Sequence, residues 1–168
     1  MALDAIVGSP TGNSYPTVLE ADAYFLNRFH VSFWASLPDE DKEKLLITAT
    51  NLLEWYVRWV GTKASETQAL AWPRTGVFTE LGNEIPSTVI PMQVKTAVYE
   101  LIVAFYEEDR TSDNGLEGLS MLKLSSLQIQ ATDSYANPPR KVIPETVWKI
   151  LGDLCVKGGI SVVRLVRA

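Results

Sequence analysis

One cysteine and one histidine in 168 residues exclude most of the chemistry a chain of this length might host. Cys155 has no partner for an internal disulfide, and beside Leu154 and Val156 it reads as a packing residue. A single imidazole, His30, and a single thiol cannot make a usual zinc site, and neither nucleophile has a local Ser-His-Asp or Cys-His signature. Gly8 and Gly12 lack the helix start and lysine of a phosphate-cradling loop. The expectation is therefore no metal, no cofactor, no catalytic residue and no enzyme. Apolar runs fall short of the roughly 18 residues of a membrane helix, and Met1-Ala2-Leu3-Asp4 lacks the basic flank of a secretory signal. A chain made in a cytoplasm, with no membrane partner, is expected.

Positive charge is also scarce over most of the sequence. Residues 1–139 carry 9 Lys and Arg against 18 Asp and Glu, whereas residues 140–168 carry 6 against 2. An acidic body argues against adhesive binding to a phosphate backbone, where affinity comes largely from displaced counterions. The basic end, with Arg140, Lys141, Lys149, Lys157, Arg164 and Arg167, is either a surface for an acidic partner or a solvated tail.

What is present in quantity is hydrophobic periodicity, at 46% hydrophobic content. Residues 1–16 form a turn-rich arm around Gly8-Ser9-Pro10-Thr11-Gly12-Asn13, expected to order only against a neighbour. Thr17 and Glu20 make a capping box for a first helix, with Val18, Ala21, Tyr24 and Phe25 at helical spacing and an end near Phe29. Pro38 and the acids Asp39, Glu40 and Asp41 suit the positive end of a second helix running to about Val60, with Leu45, Ala49, Leu52, Leu53, Tyr56 and Val60 on one face. Glu54 and Arg58 are spaced as an i, i+4 pair, and Trp55 and Trp59 flank the apolar face. Ser65 is placed to cap a short helix through Ala71, with Trp72 just beyond it because Pro73 disfavours helical geometry there. Pro91 opens a helix to about Asp109. That helix has one stripe of Val94, Val98, Leu101, Ile102 and Phe105 and another of Met92, Tyr99, Val103 and Tyr106.

A helix apolar on two sides is either central in a large core or packed on another chain, and the second reading is taken here. Glu107-Glu108-Asp109, at the unfavourable end of that helix, fits an interface or water. Leu122, Leu124, Leu127 and Ile129 alternate with polar residues as a strand or projecting arm, interrupted at Ser125-Ser126. Pro144 and Glu145 start a last helix, ended by Gly158-Gly159. Ile160 to Val166 would either add a strand to a partner sheet or pair at home.

Gln68-Ala69-Leu70-Ala71-Trp72-Pro73-Arg74-Thr75-Gly76, with Ser14-Tyr15, Glu20-Ala21-Asp22-Ala23-Tyr24-Phe25, Ile85-Pro86 and Ile90-Pro91, resembles a family of small tailed-phage proteins labelled DnaT-like and single-stranded-DNA-binding. Its members look like head-tail adaptor subunits, and the resemblance covers residues 13–106 best. It implies a structural virion protein at the neck. Such a subunit would form a homo-oligomeric ring, commonly a dodecamer, between portal and tail proteins, with genomic double-stranded DNA passing through the lumen during ejection. Assembly would take place in the host cytoplasm.

The fold expected is mainly α: a four-helix bundle plus one short helix, with an extended arm near residues 120–142 and a C-terminal tail. The divisions are an arm at 1–16, a core at 17–110, an extended arm at 111–142, a helix at 143–157 and a tail at 158–168. Subunit-interface candidates are Trp55, Trp59, Trp72, Arg74, Met92, Tyr99, Val103 and Tyr106, and portal or tail contacts are Arg164 and Arg167. The rival function is a replication accessory that coats single strands, stacking bases on Trp55 and Trp59 beside Arg58 or on Trp72 beside Arg74. It predicts loss of binding on changing Trp59 or Arg74.

Overall fold

The computed structural model describes residues 2–79, 81–107, 121–124, 127–130 and 141–156. Helix α1 (Val18–Leu26) begins as the sequence predicts. Thr17 Oγ1 accepts from the Glu20 N–H at 3.2 Å, and the Glu20 carboxylate accepts from the Thr17 N–H at 2.9 Å, so two donors with no partner inside the helix are satisfied at once. The helix stops at Leu26, earlier than expected, and His30 follows with φ of 62°. A short α2 (Phe33–Ser36), not anticipated from the pattern, folds back and lays Trp34 against Phe25 with ring centroids 4.4 Å apart.

Helix α3 (Asp39–Tyr56) has Pro38 as its N-cap and three acids in its first turn, where the helix dipole favours them. Its buried residues are Leu46, Ala49, Thr50, Leu52 and Leu53, and Tyr56 turns outward. The helix does not reach Val60. Strand-forming Val57, Trp59 and Val60 leave it for β1 (Arg58–Trp59), which pairs antiparallel with β6 (Cys155–Val156), and the Val60 N–H donates to the Leu154 carbonyl at 3.1 Å.

The predicted helix from Ser65 to Ala71 is absent. That segment is a loop between β2 (Thr62–Lys63) and β3 (Arg74–Thr75), which pair antiparallel. The Gln68 side chain takes the place of helical bonds: Oε1 accepts from the Ser65 N–H, and Nε2 donates to the carbonyls of Leu70 and Pro73. The Trp72–Pro73 peptide bond is cis.

Helix α4 (Met92–Glu107) lies at the centre of the fold, between α3 and α5 (Glu145–Leu151). Val94, Ala97, Val98, Leu101 and Ile102 are enclosed together with Val147 and Leu151 of α5. The last helix ends at Gly152, six residues before Gly158-Gly159, where φ of +49° breaks the helical path. A single 3-10 turn (Gly152–Leu154) leads into β6, so Cys155 sits on a strand and not on a helix. The alternation on either side of Ser125-Ser126, which predicts a strand or an extended arm, is two strands, β4 (Met121–Leu124) and β5 (Leu127–Gln130), paired antiparallel with each other.

Among the described residues the fold is mainly α, with five helices and three two-stranded antiparallel sheets. No described helix is long and apolar enough to cross a membrane. The expected tail at 158–168 and most of the 111–142 arm lie outside the described residues.

One expectation about exposed surface is corrected. The N-terminal arm closes on its own chain: Asp4 accepts from Ser9 and Thr11 hydroxyls at 2.7 Å each, Asn13 Oδ1 accepts from the Asp4 N–H, and the Ala69 N–H donates to the Ser9 carbonyl. The second stripe of α4 is covered from within only in part. Tyr99 stacks on Tyr24 with centroids 4.5 Å apart, Tyr106 lies parallel to Phe33 at 3.8 Å, and Val103 packs on the core. Met92 remains 67% and Tyr106 49% exposed. The two short elements α1 and α2 supply a cover that helical periodicity in α4 could not reveal.

Candidate functional site

The residues that mark the sequence most strongly converge on one knot beneath the end of α3. Tyr15 is buried, with its N–H on Thr50 Oγ1 and its hydroxyl donating to Glu54 Oε1. The other Glu54 oxygen accepts from the Ala71 N–H at 2.9 Å. Arg74 donates from Nε to the Val60 carbonyl at 2.6 Å, from Nη1 to Ala71 at 3.1 Å and from Nη2 to Gly61 at 2.5 Å. One guanidinium thus ties the end of β1 to the Trp72 loop, using the planar donor fork that lysine lacks.

Burial shifts both charged groups. It raises the Glu54 carboxyl above its ordinary range, against the opposing pull of Tyr15, Ala71, Lys63 and Arg74, and it lowers the Arg74 guanidinium. Trp72 packs edge-on to Trp59 at 6.0 Å, and Trp59 edge-on to Tyr15 at 6.4 Å. The indole N–H groups of Trp59 and Trp72 are buried without an acceptor. Packing therefore holds these rings: Trp72 is enclosed and offers no face to a ligand, while Trp59 is half-buried.

The outer side of the same region differs. Trp55 is 75% exposed and Tyr56 50% exposed at the last turn of α3, and Arg58 is exposed on β1. The expected Glu54–Arg58 pair does not form, because Glu54 is turned inward to Tyr15 and Ala71. Arg58 makes no ion pair among the described residues, and its position two residues past a helix C-terminus suits a cation. In the β1–β6 register Arg58 faces Val156, also exposed. The sequence after Val156 carries Lys157, Arg164 and Arg167, which lie outside the described residues. Lys63, by contrast, is held by the carbonyls of Gln68 and Ala69.

The structure thus groups Trp59, Trp72 and Arg74 inside the knot and leaves Trp55 outside it. Met92 and Tyr99 border a groove between α1 and α4, and Tyr106 lies on Phe33. Sequence reasoning missed the Tyr15–Glu54–Ala71 bridge, although Ser14-Tyr15 had been singled out as a mark. No group of His, Cys, Asp and Glu that could hold a metal occurs among the described residues. What the outer side can do chemically is stack planar groups on the exposed Trp55 and Tyr56 with the exposed cation of Arg58 close by in sequence.

A family model described as "Putative DnaT-like ssDNA binding protein" matches residues 1–168. No curated protein and no solved structure matches the chain. The family match corrects the function drawn from the resemblance. Its description names a single-strand-binding protein, and the head-tail adaptor, the dodecameric ring, the portal and tail partners and the passage of double-stranded DNA find no support in it.

Proposed function

We propose that this chain, which belongs to the DnaT-like family, binds single-stranded DNA by stacking bases on Trp55 and Tyr56 while Arg58 meets the adjacent phosphate. The observation that carries this reading is the exposure of Trp55, and three residues on of Arg58, which makes no ion pair among the described residues. A base stacked on an aromatic ring contributes about 1–3 kcal/mol and is tolerant of sequence, so one or two rings support weak, non-specific binding. The acidic body limits the electrostatic share. Single-strand affinity falls with salt by roughly 0.7 log units per tenfold change for each phosphate neutralised, and Arg58 with the basic 157–168 segment supplies few such contacts. No catalytic step belongs to this function.

The test is fluorescence anisotropy of a labelled oligothymidylate at several salt concentrations. Trp55→Ala is expected to weaken binding about tenfold, equivalent to ~1.4 kcal/mol, within the stacking range. Arg58→Ala is expected to flatten the salt slope by about 0.7. Oligonucleotide affinity unchanged in the Trp55→Ala/Arg58→Ala double variant would refute the site, and absence of binding by the wild-type chain at low salt would refute the function.

A further inference from the structure

Between residues 51 and 65 Glu54 is the one acidic side chain, so it is the carboxylate best placed in sequence to neutralise Arg58. Four residues span at most ~14 Å when fully extended. Here Glu54, Trp55 and Tyr56 are helical, which shortens the span to one that a glutamate and an arginine bridge. The pair nevertheless does not form, because both Glu54 oxygens are used from the inner side. The Tyr15 hydroxyl donates to Oε1, and the Ala71 N–H donates to Oε2 at 2.9 Å. Tyr15 is itself fixed: it is 1% exposed, its N–H lies 3.3 Å from Thr50 Oγ1, and its ring is edge-on to Trp59.

We propose that Tyr15 is a positioning residue for single-strand binding: by holding Glu54 inward it keeps the Arg58 guanidinium free for phosphate. The inference rests on the reading of Trp55, Tyr56 and Arg58 as the binding site, and it links the enclosed knot to that site through one carboxylate. Burial is the largest influence on the Glu54 carboxyl and opposes its charged form; the bonds from Tyr15 and Ala71, and then the charges of Lys63 and Arg74, act against it. Without the Tyr15 hydroxyl a half-buried carboxylate keeps one donor. Turning outward then exchanges a desolvated place for water and a charge-assisted bond to Arg58. An Arg58 so neutralised no longer displaces a counterion from the nucleic acid.

The test is Tyr15→Phe in the full chain, read by oligothymidylate anisotropy across salt and by the Glu54 side-chain carboxyl carbon resonance as pH is varied. Affinity at low salt is expected to fall about three- to tenfold and the salt slope by about 0.7, the share of one phosphate contact. Tyr15→Phe/Glu54→Gln is expected to recover wild-type affinity and slope although it perturbs the knot further, whereas a merely structural role for Tyr15 predicts additional loss. The Glu54 carboxyl, raised in the wild type, is expected to drop to or below its ordinary value in Tyr15→Phe, and to drop less when Arg58→Ala is added. A carboxyl that stays raised in Tyr15→Phe, or a double variant as weak in binding as Tyr15→Phe, overturns the proposal. Failure of the wild-type chain to bind at low salt refutes the site itself, and the Glu54 titration then still decides whether Tyr15 withholds that carboxylate from Arg58.

Discussion

Arg74 separates a structural role from a binding role, because its guanidinium is committed to three backbone carbonyls. Hydrogen bonds to a charged donor contribute roughly 1.5–3 kcal/mol net each, so removing all three at full value would cost about 5–9 kcal/mol. Two of the acceptors lie where water can reach: Gly61 is exposed and Val60 half-buried, whereas Ala71 is buried. Removing the side chain also relieves the desolvation of a partly buried cation. The net cost of Arg74→Ala is then about 2–4 kcal/mol, most of it from the Ala71 carbonyl left unpaired. For a chain of this length that is a fall of roughly 5–15 °C in melting temperature. Arg74→Lys, with a point charge able to reach one carbonyl, should lose about half as much.

Urea denaturation gives the stability, and oligonucleotide anisotropy well below the melting point gives the binding. Both Arg74 variants are expected to be less stable yet to retain affinity, whereas Arg58→Ala should be as stable as wild type and bind more weakly. Stability within about 0.5 kcal/mol of wild type together with lost binding in Arg74→Ala would refute the reasoning.

Gly61 has φ of +75°, and a β-carbon there would collide with the Thr75 carbonyl and the Val77 side chain; Gly61→Ala is expected to destabilise by about 3 kcal/mol or more, read from the shift in urea midpoint. Burial raises the Glu54 carboxyl, so its contribution to stability is full below the unfolded value of about 4.3 and is lost as pH rises through the higher folded value. The stability of wild type relative to Glu54→Gln should therefore grow as pH falls from neutral toward that range, and a pH-independent difference would contradict it. Glu100, held below its ordinary value by its bond to Arg28 and opposed by burial, acts in the reverse sense. Its contribution is present above the unfolded value and lost as acid protonates it, so Arg28→Ala should flatten the acid limb of the stability profile.

Local signals in the sequence were legible where local physics decides the outcome. The Thr17–Glu20 capping box, the Pro38 and acid-rich start of α3 and the alternation around Ser125-Ser126 all depend on residues a few positions apart. The end of α3 was not legible, because Arg58 and Trp59 leave the helix to pair with Val156 and Cys155, a contact between distant parts of the chain. The Ser65–Ala71 loop was misread for a related reason: one amide side chain, Gln68, supplies bonds that a helix would otherwise make.

Periodicity also identified a helix apolar on two sides but not which helix keeps one side bare. The second stripe of α4 is roofed in part by Tyr24 and Phe33, while a barer ridge lies on α1, where Leu19 and Leu26 are exposed. The sequence singles out the aromatic and cationic residues of this region by their chemistry but carries no signal for which of them are exposed. Trp72 and Arg74 are inside, Trp55 and Arg58 outside, and that division is set by Glu54 turning inward toward Tyr15 and Ala71.

The most direct measurement is a nitrogen–proton correlation spectrum of the indole N–H groups, assigned by substituting each tryptophan in turn, recorded while a short oligothymidylate is added. The Trp55 signal is expected to shift and broaden progressively while that of the enclosed Trp72 stays in place. A Trp55 signal unmoved at saturating oligonucleotide, or perturbation confined to Trp72 and Trp59, would contradict it.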